Sequence, residues 1–129
     1  VDRIIFCSGK VYYDLHAKRR DEGLTIPAIV RVEQLYPFPE EDLDGILKEY
    51  PKLKTAVWCQ EEPMNQGAWY ASQHHLRRVL FSVFPKIYLE YAGRAASAAA
   101  AAGYMSLHVR QQDQLVQAAL HGVGGVLVS

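Results

Sequence analysis

The chain has no apolar run long enough to cross a bilayer, only two cysteines, and no excess of either charge. A spanning helix needs about 20 consecutive apolar residues, so no membrane partner is expected. Fourteen basic residues balance fourteen acidic ones, which predicts no electrostatic attraction to nucleic acid or to an anionic surface. Cys7 and Cys59 each sit inside an apolar run without metal-ligand spacing. They read as buried free thiols in a reducing compartment, not as a disulfide or a zinc site. No Ser-His-Asp order, nucleotide fingerprint or Cys-His pair is present. His74 and His75 are adjacent, so on a helix they point about 100° apart. A shared metal needs a spacing of three or four, and His16, His108 and His121 add no ligand pattern. The chain opens with Val1-Asp2-Arg3 and runs directly into a strand. No signal peptide is expected, and the chain reads as a piece of a longer polypeptide.

What remains is enough for one domain. The 129 residues are half apolar and 22% charged, the balance of a globular domain able to bury one core. Ile4 to Cys7 is a continuous apolar run ending in Ser8-Gly9-Lys10, which predicts a buried strand feeding a turn. A helix from Val11 to Glu22 follows, with Tyr12, Leu15 and Arg19 on one face. Ala28 to Val32 reads as a second buried strand after Pro27. Tyr36-Pro37-Phe38-Pro39 is a rigid loop, and Pro39 opens a helix whose first turn, Glu40-Glu41-Asp42, complements the positive helix end. Its inward stripe is Leu43, Ile46, Leu47 and Tyr50, and Pro51 ends it. A third strand spans Thr55 to Cys59, a helix about Ala68 to Phe81, a fourth strand Ile87 to Tyr91. The last helix runs from about Leu107 to Leu120, burying Leu115, Val116, Ala119 and Leu120. This alternation predicts a parallel sheet with right-handed crossovers and helices on both faces. Residues 122–129 read as a loose tail.

The densest chemistry lies in Trp58-Cys59-Gln60-Glu61-Glu62-Pro63-Met64-Asn65-Gln66-Gly67-Ala68-Trp69. Two carboxylates at a strand's carboxyl end sit where α/β sheets place ligands or partner surfaces. Glu61 and Glu62 are a candidate acid–base pair only if buried and coupled. The alternative has them capping the next helix or pairing with Arg77, Arg78 or Arg94. Ser8-Gly9-Lys10, at a strand-to-helix turn, suits an anion such as phosphate or carboxylate; the alternative is a capped turn with a solvated lysine. Arg94, after Gly93, is a candidate partner of the Glu61–Glu62 turn or of an anionic ligand. Trp58, Trp69, Tyr12, Tyr13 and Tyr70 are numerous for one small domain; some must be core, and the surplus fits an interface.

Several long strings resemble one family. Cys7-Ser8-Gly9-Lys10-Val11-Tyr12-Tyr13-Asp14-Leu15, Ile29 through Pro39, Trp58 through Trp69, and Tyr91-Ala92-Gly93-Arg94 resemble the carboxyl-terminal domain of the thiamine-diphosphate-dependent first component of the 2-oxoglutarate dehydrogenase complex. The resemblance runs to about Leu120. It implies a transketolase-type three-layer α/β/α sandwich, mainly parallel, of about five strands with one antiparallel as an option, over residues 1–121.

The resemblance also implies that thiamine diphosphate and magnesium belong to other domains of the parent chain, and that no catalytic residue maps here. In the parent, 2-oxoglutarate would be oxidatively decarboxylated and succinyl passed to a lipoyl arm. The implied partners are those other domains, a second copy in a homodimer, and the dihydrolipoyl succinyltransferase and dihydrolipoyl dehydrogenase components, in a bacterial cytoplasm or a mitochondrial matrix. An acyl-CoA or nucleotide effector is expected at Ser8, Gly9 and Lys10. Glu61, Glu62, Asn65, Gln66, Trp69, Arg94 and Ser97 are expected at an interface or in structural turns. The family's prolines after the Gly-Arg pair are replaced here by alanines from Ala95 to Ala102. Polyalanine favours helix where proline blocks it, so a looser or partly helical loop is expected there. An independent nucleotide- or CoA-binding module is the rival reading, and a free-standing enzyme using Glu61, Glu62 and His74 a second.

Overall fold

The computed structural model describes residues 1–94, 105–122 and 127–128. Strands β1 (Arg3–Cys7), β2 (Ala28–Arg31), β3 (Thr55–Pro63), β4 (Leu89–Arg94) and β5 (Leu127–Val128) alternate with helices α1 (Val11–Asp21), α2 (Glu40–Lys48), α3 (Gly67–Val83) and α4 (Met105–His121). The sheet order is β2-β1-β3-β4-β5, and all four pairings are parallel. No described strand is antiparallel. Parallel strands buried on both faces read as unbroken apolar runs; Ile4, Ile5, Phe6 and Cys7 in β1 and Ala56 through Cys59 in β3 are all buried.

Alternate side chains of each strand serve opposite cores. Ile4, Phe6, Ala56, Trp58 and Tyr91 pack with Leu43 and Leu47 of α2 and Trp69, Leu76, Val79 and Leu80 of α3. Ile5, Cys7, Val57, Cys59 and Ala92 pack with Val11 and Leu15 of α1 and Leu115, Val116, Ala118, Ala119 and Leu120 of α4. The two cores make the three layers. A reversal of winding puts α1 on one face and α2 and α3 on the other, as right-handed crossovers require. The connection through α4 departs from that expectation. α4 shares a face with α1, which gives β4–α4–β5 the uncommon left hand. Val57, Cys59 and Ala92 would otherwise lie bare on that face, whereas β5 pairs only with Gly93 and Arg94.

Boundaries moved where tertiary contacts overrode local pattern. β2 is half-buried along its length because it is the sheet edge, not the fully buried strand its composition predicts. β3 continues four residues past Cys59, through both glutamates to Pro63, with a register irregularity against β4. β4 is shifted towards the carboxyl side, ending at Arg94. β5 falls inside the segment expected to be a loose tail. In α1 the inward residues are Val11 and Leu15, while Arg19 donates to the Pro27 carbonyl at 2.8 Å. In α2, Lys48 pairs with Asp44 one turn earlier at 2.8 Å.

Candidate functional site

The carboxyl ends of β1, β3 and β4 and the adjoining faces of α1 and α4 form one polar network. Gly9, with φ +80°, turns the chain from β1 into α1, and a left-handed residue there favours glycine. The turn leaves Lys10 exposed beside β3. Its Nζ lies 2.8 Å from Glu61 Oε2 and 2.9 Å from Oε1. Gln112 of α4 donates from Nε2 to Glu61 Oε1 at 2.8 Å and to Asp14 Oδ2 of α1 at 2.9 Å. Arg94 donates through Nη1 to the Glu61 main-chain carbonyl, through Nη2 to Gln112 Oε1 at 3.2 Å and through Nε to Gln111 Oε1 at 3.3 Å. Two separate candidates in the sequence, the Ser8-Gly9-Lys10 turn and the Glu61/Arg94 pair, are thus one cluster.

The hydrogen bond and charge of Glu61 raise the Lys10 pKa. Burial lowers that of Arg94, opposed by the charge of Glu61. On β2, in register with Cys7, Arg31 extends the cationic edge. It pairs with Glu33 and lies over the rings of Tyr12 and Tyr13 at 5.4 and 5.0 Å.

Behind this surface stands a residue that pattern reading did not single out. Gln60 is 1% exposed, yet every polar atom of its amide is used. Its Oε1 accepts from the Trp58 indole and from the Trp69 main-chain N–H, both at 3.0 Å. Its Nε2 donates to the carbonyls of Glu62, Pro63 and Gln66 at 3.1, 3.0 and 2.9 Å. One side chain thereby shapes the turn from 60 to 69 and satisfies an N–H in the first turn of α3, which has no helical partner of its own. The only sequence signal was a glutamine directly after the apolar run Thr55 to Cys59, where a buried amide needs partners.

The remaining candidates fall into place as follows. Glu62, near the end of β3, and Asn65 and Gln66 in the turn that follows are exposed. Trp69 is one of the aromatics taken by the core, 4% exposed, with its ring 5.1 Å from that of Tyr91. Glu61 and Glu62 are not a coupled acid–base pair, because one carboxylate is committed to Lys10 and Gln112 and the other residue is solvated. Arg77 lies over Trp69 at 5.3 Å and donates to Gln73. Arg78 pairs with Glu40 at 3.3 Å; neither pairing follows the sequence expectation. His75 meets Glu40 at 3.1 Å and stacks on Phe38. Ser97 and the alanine-rich segment lie outside the described residues. Burial pushes the Cys7 thiol up to about 12 and Cys59 well above its ordinary value, which keeps both protonated at neutral pH. No group of three or more His, Cys, Asp or Glu able to hold a metal occurs among the described residues. No described helix is long and apolar enough to cross a membrane.

A wholly parallel five-stranded sheet between paired helices, with its polar residues gathered at the carboxyl edge, defines a transketolase-type carboxyl-terminal domain. A split-gene transketolase, described as an inactive β4 tetramer, superposes on 92% of this chain and 38% of its own with TM-score 0.55 at 19% identity, which shows the fold. Residues 1–120 match the family described as 2-oxoglutarate dehydrogenase C-terminal, and the chain belongs to that family. The 2-oxoglutarate dehydrogenase E1 component of Azotobacter vinelandii is 61% identical over 117 residues, 91% of this chain. That of Haemophilus influenzae is 54% identical over 121 residues, 93% of it. This chain spans only 12% of either relative.

Proposed function

We propose that the chain is the non-catalytic scaffold and effector-responsive domain of a 2-oxoglutarate dehydrogenase. In this reading the parent decarboxylates 2-oxoglutarate oxidatively with thiamine diphosphate and passes succinyl to the lipoyl group of a dihydrolipoyl succinyltransferase, with dihydrolipoyl dehydrogenase completing the complex. The domain supports a homodimer and the other domains of its own chain, in the cytoplasm of a bacterium like those of the relatives; a mitochondrial matrix is the alternative. One observation carries the reading: the polar strand-end cluster is closed upon itself, each carboxylate and amide engaged in tying α1 and α4 to β3 and β4. Two cations flanking one lysine-paired carboxylate do not fit magnesium, which prefers carboxylate and phosphate oxygens. No catalytic step is assigned to these residues, and the cofactor with its metal belongs to the rest of the parent chain.

Effector response is assigned to Ser8, Gly9 and Lys10, where a glycine turn, a hydroxyl and an ammonium meet at a helix start. Arg94, Glu61, Glu62, Asn65 and Gln66 are assigned to positioning this edge against neighbouring domains. The test uses the full-length enzyme. Glu61→Gln, Glu62→Gln and His74→Ala should each retain turnover, and Lys10→Met should change effector response while leaving the basal rate. Loss of turnover with the dimer intact in the first three variants would overturn the scaffold assignment. Submicromolar nucleotide binding by the 129-residue chain alone would favour an independent binding module.

A further inference from the structure

Helices α2 and α3 lie side by side over one core, and their outward faces carry opposite charge. Five of the ten residues from Glu40 to Glu49 are carboxylates, against the single Lys48. α3 has no Asp or Glu along its 17 residues, and Arg77 and Arg78 on it are exposed. The seam between the helices is an open groove of about 300 Å³, with Glu40, Glu41 and Asp44 on one bank and Arg78, Val79 and Ser82 on the other. Among the described residues, the ion pairs of α2 use only Glu40 and Asp44. Glu41, Asp42 and Glu49 are answered by no cation of the fold.

Two further features of this face have no use inside the domain. Tyr70, His74, Arg77 and Phe81 recur at helical spacing along the outside of α3, with Tyr70 70% and Phe81 66% exposed. The inward stripe of the same helix already supplies the core with Trp69, Leu76, Val79 and Leu80. A surface helix needs one apolar stripe, whereas a second one made of aromatics and arginine has the composition of an interface centre. Gly45 stands exposed in the middle of α2, where glycine is less favourable than alanine. A Cβ there would meet nothing within 4 Å, so packing inside the domain gives no reason for it. Close approach by a second surface does.

We propose that the α2/α3 face is a self-complementary interface, on which a second copy of the chain docks about a two-fold axis running along the seam. This rests on the reading of the domain as a dimer support. Both helices return from the carboxyl to the amino edge of a parallel sheet, so they run in the same direction. Rotation about an axis parallel to them lays α2 of one copy on α3 of the other and keeps every residue at its own height. Height is already matched within the chain, because Glu40 meets both His75 and Arg78. The rotation therefore brings Arg77, Arg78 and Phe81 of the second copy over Glu41, Asp44 and Gly45. An axis across the helices would instead set acidic α2 against acidic α2, which like charges oppose. The complement this face requires, a cationic strip beside an acidic one, is the face itself after a half-turn.

The experiment is sedimentation velocity on the 129-residue chain, each sample checked for folding by circular dichroism. Wild type is compared with Glu41→Lys/Asp44→Lys, with Arg77→Glu/Arg78→Glu, and with an equimolar mixture of these two variants. Wild type should form a dimer that loosens as salt is added. Each variant alone should associate about tenfold or more weakly, because the symmetry repeats every reversed pair. The mixture should recover the wild-type dimer, since acid then faces base at both crossings. Phe81→Ser, whose side chain belongs to neither core, should weaken the dimer without loss of folding. A mixture no more associated than its components, a wild-type dimer indifferent to both charge reversals, or a wild-type chain still monomeric at millimolar concentration would overturn the interface. Sedimentation of the full-length parent separates the two readings: a dimeric parent beside a monomeric chain removes this face and leaves dimer support to other surfaces, whereas a monomeric parent removes the dimer-support reading as well.

Discussion

Replacing Gln60 with leucine is the sharpest test of what shapes the strand-end turn. Leucine is close in size, so little cavity forms, but all five hydrogen bonds of the amide are lost. Trp58 is 0% and Trp69 4% exposed, so neither the indole N–H nor the main-chain N–H regains a partner from water. A buried donor left unsatisfied costs about 1–3 kcal/mol, so the two donors together cost about 2–6 kcal/mol. The three carbonyls lie in a partly exposed turn and add less. An overall loss of about 3–5 kcal/mol is a large share of the ~5–15 kcal/mol that holds a domain folded. Urea unfolding followed by tryptophan fluorescence suits the question, because Trp58 and Trp69 are the only tryptophans and both adjoin the change. At a slope of about 1–3 kcal/mol/M, the midpoint should fall by at least about 1 M. Gln60→Glu keeps the acceptor for both N–H groups but sets a second oxygen against three carbonyls. Its carboxyl should be held protonated in the fold, with a folded pKa above the ordinary value. Its stability deficit should therefore be small in acid and grow as pH rises beyond the unfolded value of about 4.3. A Gln60→Leu midpoint within about 0.3 M of wild type, equivalent to under about 1 kcal/mol, would refute the assignment of the turn to this side chain.

Three further outcomes follow from the same geometry. A Cβ on Gly93 would stand 2.6 Å from Tyr91 Oη and 2.9 Å from the Gln60 main-chain oxygen; Gly93→Ala should cost about 1–3 kcal/mol in thermal or urea melts, and Tyr91→Phe should rescue it only in part because the main chain cannot move aside. Arg3 is 9% exposed and donates to the carbonyls of Ala119 and Ala118 at the end of α4, to Thr55 and to Glu90; Arg3→Met should lose about 2–3 kcal/mol, read as faster amide exchange in the last turn of α4, and unchanged exchange there would count against the capping role. Because burial pushes the Cys7 thiol up to about 12 from an ordinary 9.0 and raises Cys59 as well, thiol ionisation favours the unfolded chain: the thiols' contribution should be constant below pH 9 and should lower stability above it by up to about 1.4 kcal/mol per pH unit for each thiol, and Cys7→Ala should lessen the alkaline slope even though its packing is poorer.

Recurrence of strand and helix was legible because parallel strands and amphipathic helices leave different periods in the chain. The inward residues of α2 and α4 came from those periods nearly as observed. Edges were less legible. The composition of Ala28 to Arg31 is that of a central strand, and only the strand order shows that β2 has one neighbour. Glu61 and Glu62 look like the end of a strand because a carboxylate in a ladder is unfavourable alone. Pairing with β4, the Lys10 contact and the Gln60 scaffold override that preference. Arg77 and Arg78 are near Glu61 and Glu62 in sequence, yet α3 carries them towards Trp69 and Glu40. The lysine that meets Glu61 is 51 residues away.

The amino-acid sequence by itself determined the layers, the absence of a metal-ligand spacing and the family resemblance, since each depends on residues close together in the chain. The tertiary structure alone decided that Lys10, Glu61, Arg94 and Gln112 form a single cluster and that Gln60 organises the turn behind it. A buried amide or a paired charge is stabilised by whatever the fold brings within about 3 Å, and that separation bears no fixed relation to distance along the chain.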